Sequence, residues 1–440
     1  MKYFSTSVLI SLLLVFSPRA QFNFFDNSRA AVQPLIQIDH AGFKSPDSGK
    51  VRLEIYYQVF NFGFEYRSQG SDYIAEYDIM ITVNDNNNAV VASDTKNRNI
   101  IVPDEEKTRS RTDFRTSQVN FDLPPGKYKV AVIVRDRYSE KSYSTGFDVK
   151  LRNHYEPTPQ LSDIEFIRTV EALKEETGVF DKGNLVVIPS VGRSFGGDDN
   201  VKMRYYFEIY RGEDTTENVD IETKIRKKNG SMVYRDTLNN ILKGPLEMQL
   251  REISLEDFAP GQYELEVYMR GRRNKKLDER KETFTVQWSL RGLLRHDFNT
   301  AIEQLAIIAQ PGQVEKMKKI ESEEERLKAF NEFWKALDNT PETPRNEFQV
   351  EFYRRINFAN QHFKSFRHEG WRTDRGRILI KYGEPDEIDD VPMSLTSPPY
   401  QIWHYYKIGA YRKFTFLDLN EDGEYRLQFP YDGLDQSPDY

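Results

Sequence analysis

GWRTDRGRILIKYGEPDEI, residues 370–388, is the densest stretch of this chain, and its reading decides the fold of the last third. It opens with Trp371 beside Gly370, where a missing Cβ lets a bulky ring sit close to another backbone. Thr373, Asp374, Arg375 and Gly376 suit a polar turn. From Arg377 to Tyr382 polar and apolar residues alternate, with Ile378 and Ile380 on one face, which predicts a half-buried strand. Gly383, Glu384, Pro385 and Asp386 stop that strand, because proline has no donor and glycine and aspartate favour turns. The expectation is a turn, a strand and a turn.

Upstream of this block the apolar period is helical. Ile302, Leu305, Ala306 and Ile308 form one stripe closed by Pro311 and Gly312. Ser322 with Glu325 reads as a capping box that opens a helix carrying Leu327, Phe330, Phe333, Trp334 and Leu337 on one face. Thr343 before Pro344 predicts the start of a further helix, with Phe348, Phe352, Ile356, Ala359 and Phe363 recurring at three-to-four spacing. Downstream, short strands are expected at Gln401–Tyr406, Lys413–Leu417 and Tyr425–Phe429, in one small sheet that begins at Arg377. The region is mixed α+β, with helices over 296–368 and the sheet over 370–440.

GWRTDRGR followed by IKYGEPDEI, and then by YQIWHYY at Tyr400–Tyr406, resembles the GWxTD domain family of bacterial exported proteins. The likeness reaches back through Phe333, Trp334, Asp338, TPRNEF at 343–348 and EFYRRINFAN at 351–360, and forward through FTFLDL and the turn at Gly423. It covers the last quarter to third of the chain. The resemblance implies a domain type and an extracytoplasmic address, and it implies no reaction.

The rest of the chain reads as β structure. Over 33–152 the segments Val51–Phe60, Tyr77–Val83 and Lys127–Val134 alternate, NDNNN at 84–88 suits a hairpin turn, and no segment has a helical period. Residues 160–289 repeat the order: VRLEIYYQVF at 51 matches VKMRYYFEIY at 201, DIMITV at 78 matches DIETKI at 220, and LPPGKYKVAVIVR at 123 matches FAPGQYELEVYMR at 258. Either duplication or a shared turn-and-strand signature yields two tandem antiparallel β-sandwiches of the immunoglobulin or fibronectin kind. With the carboxy-terminal region this makes a multidomain chain, as 440 residues allow.

Composition narrows the function classes. A net charge of -7 with both signs mixed along the chain leaves no basic stripe for nucleic acid. Residues 1–20 read as a secretory signal peptide, with Lys2, an apolar run from Val8 to Phe16, and a small residue at Ala20. That run is too short to span a bilayer, and no later segment approaches membrane length. The chain has no cysteine, which excludes thiol catalysis, thiolate metal sites and disulfides. Export to the periplasm, the cell surface or the medium is the expectation.

Three chemical motifs occur in partial form. Gly192, Ser194 and Gly196 spell GxSxG, but a nucleophile elbow needs a helix after the turn and VKMRYYFEIY reads as a strand. DLNEDG at Asp418–Gly423 has the first half of a calcium loop, yet Phe429 stands where the closing glutamate belongs, so a hairpin turn is expected. The histidines at 40, 154, 296, 362, 368 and 404 contain no HExxH pair, and no cofactor or metal is expected. The remaining candidates for binding are Trp371, Thr373, Asp374, Arg375, Arg377, Asp386, Glu387 and Trp403, where arginines would hold an anionic or sugar group beside an aromatic face. The plainer account makes the same residues a turn cap, an ion pair and a core plug. The reading is a non-catalytic binding or scaffold protein of the cell envelope, with an envelope protein or polysaccharide as partner. The competing reading is a hydrolase acting through Asp374, Asp386 or Glu387.

Overall fold

The structure is a computed structural model that describes residues 36–110, 113–156, 158–173, 178–196, 202–211, 217–287, 294, 297–338, 346–365, 367–391, 397–408 and 411–430. The signal-peptide reading of residues 1–20 and the helix start read at Thr343–Pro344 lie outside the described residues. Among the described residues no helix is long and apolar enough to cross a membrane.

Strands β1 (Ile36–Lys44), β2 (Val51–Phe60) and β6 (Phe114–Leu123) form one antiparallel sheet with β2 in the middle. Facing it are β3 (Arg67–Gln69), β4 (Asp72–Asn84), β5 (Val90–Val102), β7 (Gly126–Asp136) and β8 (Ser142–Leu151), in which β4 pairs with β5 and β7, and β7 with β8. The hairpin read at 84–88 forms because Asp85 Oδ1 accepts from the amides of Asn87 and Ala89, while Asn88 takes a φ of 61°. One helical turn, α1 (Glu105–Thr108), interrupts this region, where no helix was expected; Asp104 caps it by accepting from the Lys107 amide.

Strands β9 (Gln160–Leu161), β10 (Glu165–Ala172), β11 (Asp181–Lys182), β12 (Leu185–Pro189), β14 (Lys202–Tyr210) and β17 (Leu246–Ser254) form a second sheet pair with β13 (Ser194–Gly196), β15 (Glu217–Lys227), β16 (Met232–Leu242), β18 (Gly261–Arg270) and β19 (Lys276–Gln287). Here β14 lies between β10 and β17 as β2 lies between β1 and β6. Likewise β15 pairs with β16 and β18, and β18 with β19. In both sheet pairs the tyrosine after the PG turn reaches back four residues: Tyr128 OH donates to Pro124 O, and Tyr263 OH to Ala259 O. Each sheet pair encloses its own apolar core.

The two sheet pairs are stacked. Strand β2 was expected to be half-buried, yet nine of its ten residues are buried, because Leu53, Ile55 and Tyr57 enter their own core while Tyr56 meets Ile167, Val187, Val191 and Tyr206 of the second unit. Charge is buried in this interface. Lys182 Nζ lies 2.6 Å from Glu54, 3.5 Å from Glu165 and 3.6 Å from the Phe43 ring centroid. Arg193 grips Asp39 at 2.6 and 2.8 Å, and the Gly42 amide donates to Asp163 at 2.8 Å. Directed bonds of this kind hold one relative orientation of two packed sheets.

The carboxy-terminal region has α2 (Phe298–Gln304), α3 (Gln313–Lys318), α4 (Glu323–Ala336), α5 (Glu347–His362) and α6 (Asp374–Tyr382), then β20 (Glu387–Val391), β21 (Tyr400–Tyr405), β22 (Arg412–Leu417) and β23 (Arg426–Phe429) in sequential antiparallel order. Ser322 caps α4, accepting from the Glu325 amide at 3.3 Å as its sequence suggested. Helix α5 is capped by Asn346.

The strand expected over Arg377–Tyr382 is instead part of helix α6, and the small sheet starts at Glu387. Ile378, Leu379 and Ile380 are all buried, so the helix is enclosed on most sides and the apparent alternation carried no information about exposure. Thr373, read as part of a turn, is the N-cap, and Gly383, at a φ of 85°, ends the helix.

Candidate functional site

The signature opens with two glycines that admit no side chain. A Cβ on Gly370 would lie 1.7 Å from Ala359 O of α5, and one on Gly376 would lie 1.9 Å from Gly370 O. Thr373 Oγ1 joins the pieces, donating to Gly370 O at 2.8 Å and accepting from the Gly376 amide at 3.2 Å. Trp371 is 3% exposed; its backbone amide donates to Asn360 Oδ1 and its indole N–H to Glu369 Oε2.

The next two residues tie α6 to the sheet. Asp374 Oδ2 accepts from the Leu427 amide on β23 at 2.8 Å. Arg375, 2% exposed, donates from Nη2 to Gly423 O at 3.0 Å and from Nη1 to Gln401 Oε1 at 3.5 Å, with the Tyr425 ring centroid 4.1 Å from its guanidinium carbon. Burial pulls this guanidinium down to about 10. Trp403 shares the same acceptor, its Nε1 donating to Gln401 Oε1 at 3.2 Å, and packs on Phe416. Arg377 is half-buried on α6, its amide donating to Thr373 O. Asp374, Arg375 and Trp403 therefore meet at a helix–sheet junction, while Trp371 and Thr373 fasten the segment before α6 and Arg377 lies on α6 itself.

The other two lie at the far end of α6 and line a cleft. Asp386 and Glu387, with Pro385 and Ile388, form one wall of a cleft of about 420 Å³. Its other walls come from the first sheet pair: Phe62, Phe64, Tyr66 and Tyr73, then Glu105, Thr108 and Arg109 at α1. Arg109 sits 2.8 Å from Glu105 and 4.0 Å from Asp386, so it links α1 to the signature turn. Asp386 Oδ2 accepts from the amides of Tyr406 and Lys407 at 2.6 and 3.2 Å. Glu387 Oε2 accepts from Tyr406 OH at 2.9 Å, and that bond pushes the phenol up to about 12. The sequence reading missed the opposite wall; its signal was FNFGFEY at 60–66, three phenylalanines and a tyrosine crowded into a glycine-bearing turn.

Asp374 and Asp386 stand at opposite ends of a nine-residue helix, which spans roughly 13 Å, whereas paired hydrolase carboxylates stand roughly 5–9.5 Å apart. Ser194 lies on the short strand β13, which pairs in parallel with β19, and it accepts from Gln361 Nε2 at 3.1 Å; residues 197–201, after it, lie outside the described residues. Asp418 accepts from the amides of Asp422 and Gly423 at 3.2 and 2.8 Å inside the β22–β23 turn. Among the described residues no group of three or more histidines or acids could hold a metal ion.

Three solved structures to which the chain is similar share little sequence with it. The chain is similar to a red sea bream transglutaminase at 11% identity and a TM-score of 0.18, covering 58% of this chain and 32% of that one. It is similar to a β-glucuronidase of Bacteroides uniformis at 12% identity and 0.21, covering 54% and 26%. A glycosyl hydrolase family 2 member from Bacteroides cellulosilyticus gives 12% and 0.23, covering 53% and 28%. The chain thus spans less than a third of the length of each. No curated protein matches the chain significantly. At the level of sequence family the match is to residues 297–429, which form a GWxTD domain.

Proposed function

We propose that the chain is an exported, non-catalytic binding protein of the cell envelope. In this reading two immunoglobulin- or fibronectin-like sandwiches in tandem form a stiff platform that presents the GWxTD domain, and the cleft shared by the first sandwich and that domain is the binding surface. The matching strand pairings and the paired PG tyrosines favour a tandem origin for the sandwiches. The signal-like residues 1–20 favour export.

One observation carries the choice of binding over catalysis. The acid and the guanidinium most exposed to suspicion, Asp374 and Arg375, are buried and bonded to the Leu427 amide and the Gly423 carbonyl, while Asp386 and Glu387 stand in an open, aromatic-walled cleft. Groups held in that way stabilise a scaffold and are not free to move protons to a substrate.

The test uses the purified mature chain with envelope polysaccharides and envelope protein extracts. Retention that is lost in Glu387→Gln, with no released fragments, is the expected result. Fragment release abolished by Glu387→Gln or Asp374→Asn would replace this reading with the hydrolase. Cell fractionation with an antibody to the chain tests export, and recovery from the cytoplasm alone would defeat it.

A further inference from the structure

Resting on the cleft as the binding surface, we infer that its occupant is an extended, basic polypeptide segment that adds to the outer edge of β20. Strand β20 pairs with β21 on one side, and among the described residues no strand pairs with the other. A free edge offers backbone N–H and C=O groups as a template for a further strand. Its first two residues, Glu387 and Ile388, line the cleft, so a strand laid on this edge runs into the aromatic wall.

Charge selects the occupant. Glu387, Asp389 and Asp390 are exposed on this five-residue strand, and Glu105 faces the cleft from α1. A second copy of β20 would bring like charges into register, which opposes edge-to-edge self-association. A lysine- or arginine-bearing strand meets the opposite sign at the same positions. The chain supplies its own example of the contact, for Arg109 already places a guanidinium between Glu105 and Asp386. Phe62, Phe64, Tyr66 and Tyr73 add ring faces that attract a cation and accept the apolar side chains alternating with it.

The experiment measures fluorescence anisotropy of three labelled decapeptides, alternating Lys–Val, Glu–Val and Thr–Val, and competition by a neutral chitin hexamer. The Lys–Val peptide is expected to bind, with at least tenfold weakening when salt rises from low to about 0.5 M. Charge reversal in Glu387→Lys with Asp389→Lys, two exposed acids on one face of β20, is expected to lose at least tenfold with an unchanged melting temperature. N-methylation of alternate backbone amides of the peptide is expected to abolish binding; undiminished binding would overturn strand addition. Failure of the Lys–Val peptide to bind, or equal binding of all three peptides, overturns the inference. If the hexamer binds in its place and the double variant loses it, the cleft remains the binding surface and the basic occupant is wrong. If no probe binds and the double variant retains envelope ligands as well as the parent chain does, both readings fall.

Discussion

The two ends of helix α6 carry similar residues and meet opposite fates. At its start, Thr373, Asp374 and Arg375 are buried, and each bonds to the protein's own backbone. Past its end, Glu387 opens onto a cleft bounded by a different part of the chain, and Asp386 lines that cleft while accepting from the amides of Tyr406 and Lys407. A carboxylate in a signature therefore has no fixed meaning: Asp374, packed under a sheet, is a fastener, and Glu387, at a seam between two parts of the chain, is exposed. The difference comes from what lies opposite, which is the β23 backbone at one end and the aromatic wall at the other.

The severest way to break this comparison is to fill the space before the helix. Gly370→Ala puts a Cβ 1.7 Å from Ala359 O, where backbone meets backbone and neither side can give. The expected cost is at least about 4 kcal/mol, read as loss of the carboxy-terminal unfolding transition in urea. A mild effect would mean that α5 and the signature are not in contact.

Asp374→Ala comes next. It leaves the buried Leu427 amide without its acceptor, and about 2 kcal/mol should be lost in the same denaturation experiment. Asp374→Asn, which keeps a carbonyl acceptor, should lose less. If both variants keep their melting temperature but lose binding, the two ends of α6 are alike and the fastener account fails.

The buried charges between the two sheet pairs sharpen the same point with pH. Glu165 is 1% exposed beside Lys182 and Glu54, with Tyr56 and Tyr206 facing the cluster, and burial, reinforced by Glu54 and opposed by Lys182, pushes it up to about 8. A carboxyl raised on folding holds its proton more tightly in the folded chain than in the unfolded one. Its stabilising contribution is complete below the unfolded value of 4.5 and is lost as pH rises through about 8. Unfolding stability should therefore fall over that window in the parent chain, and Glu165→Gln should flatten the fall in urea melts at pH 5, 7 and 9. An unchanged slope would mean that the carboxyl is ionised throughout.

The smallest stability effect is expected at the open end. Glu387→Gln removes an exposed charge and weakens one bond from Tyr406, so the change should stay within about 0.5 kcal/mol by thermal melting while binding falls. A large drop in melting temperature would place Glu387 with Asp374 as a fastener.

Much of the local structure was legible. The β segments at 51–60, 77–83 and 127–134, the Asp85 hairpin and the Ser322 cap follow from alternation, turn chemistry and side-chain capping, all of which act within a few residues. Arg377–Tyr382 was misread because two isoleucines two apart fit a strand and equally fit a helix buried on several sides. The capping pattern ahead of it, Thr373 followed by an acid, was the signal that favoured the helix. Of the eight candidate residues, Asp374, Arg375 and Trp403 meet at the helix–sheet junction and Asp386 and Glu387 at the cleft, and no local pattern could separate them.

Chemistry within a turn or two of the backbone is written in residue order, so the carboxy-terminal family, its caps and the β character of the first two thirds could be read from the chain alone. Distant segments meet only when apolar faces are buried, and that step brought Phe62–Tyr66 opposite Pro385–Ile388, covered both faces of β2 and enclosed Lys182 between two acids. Those encounters depend on shape and on desolvation summed over whole sheets, quantities that no short stretch of sequence contains.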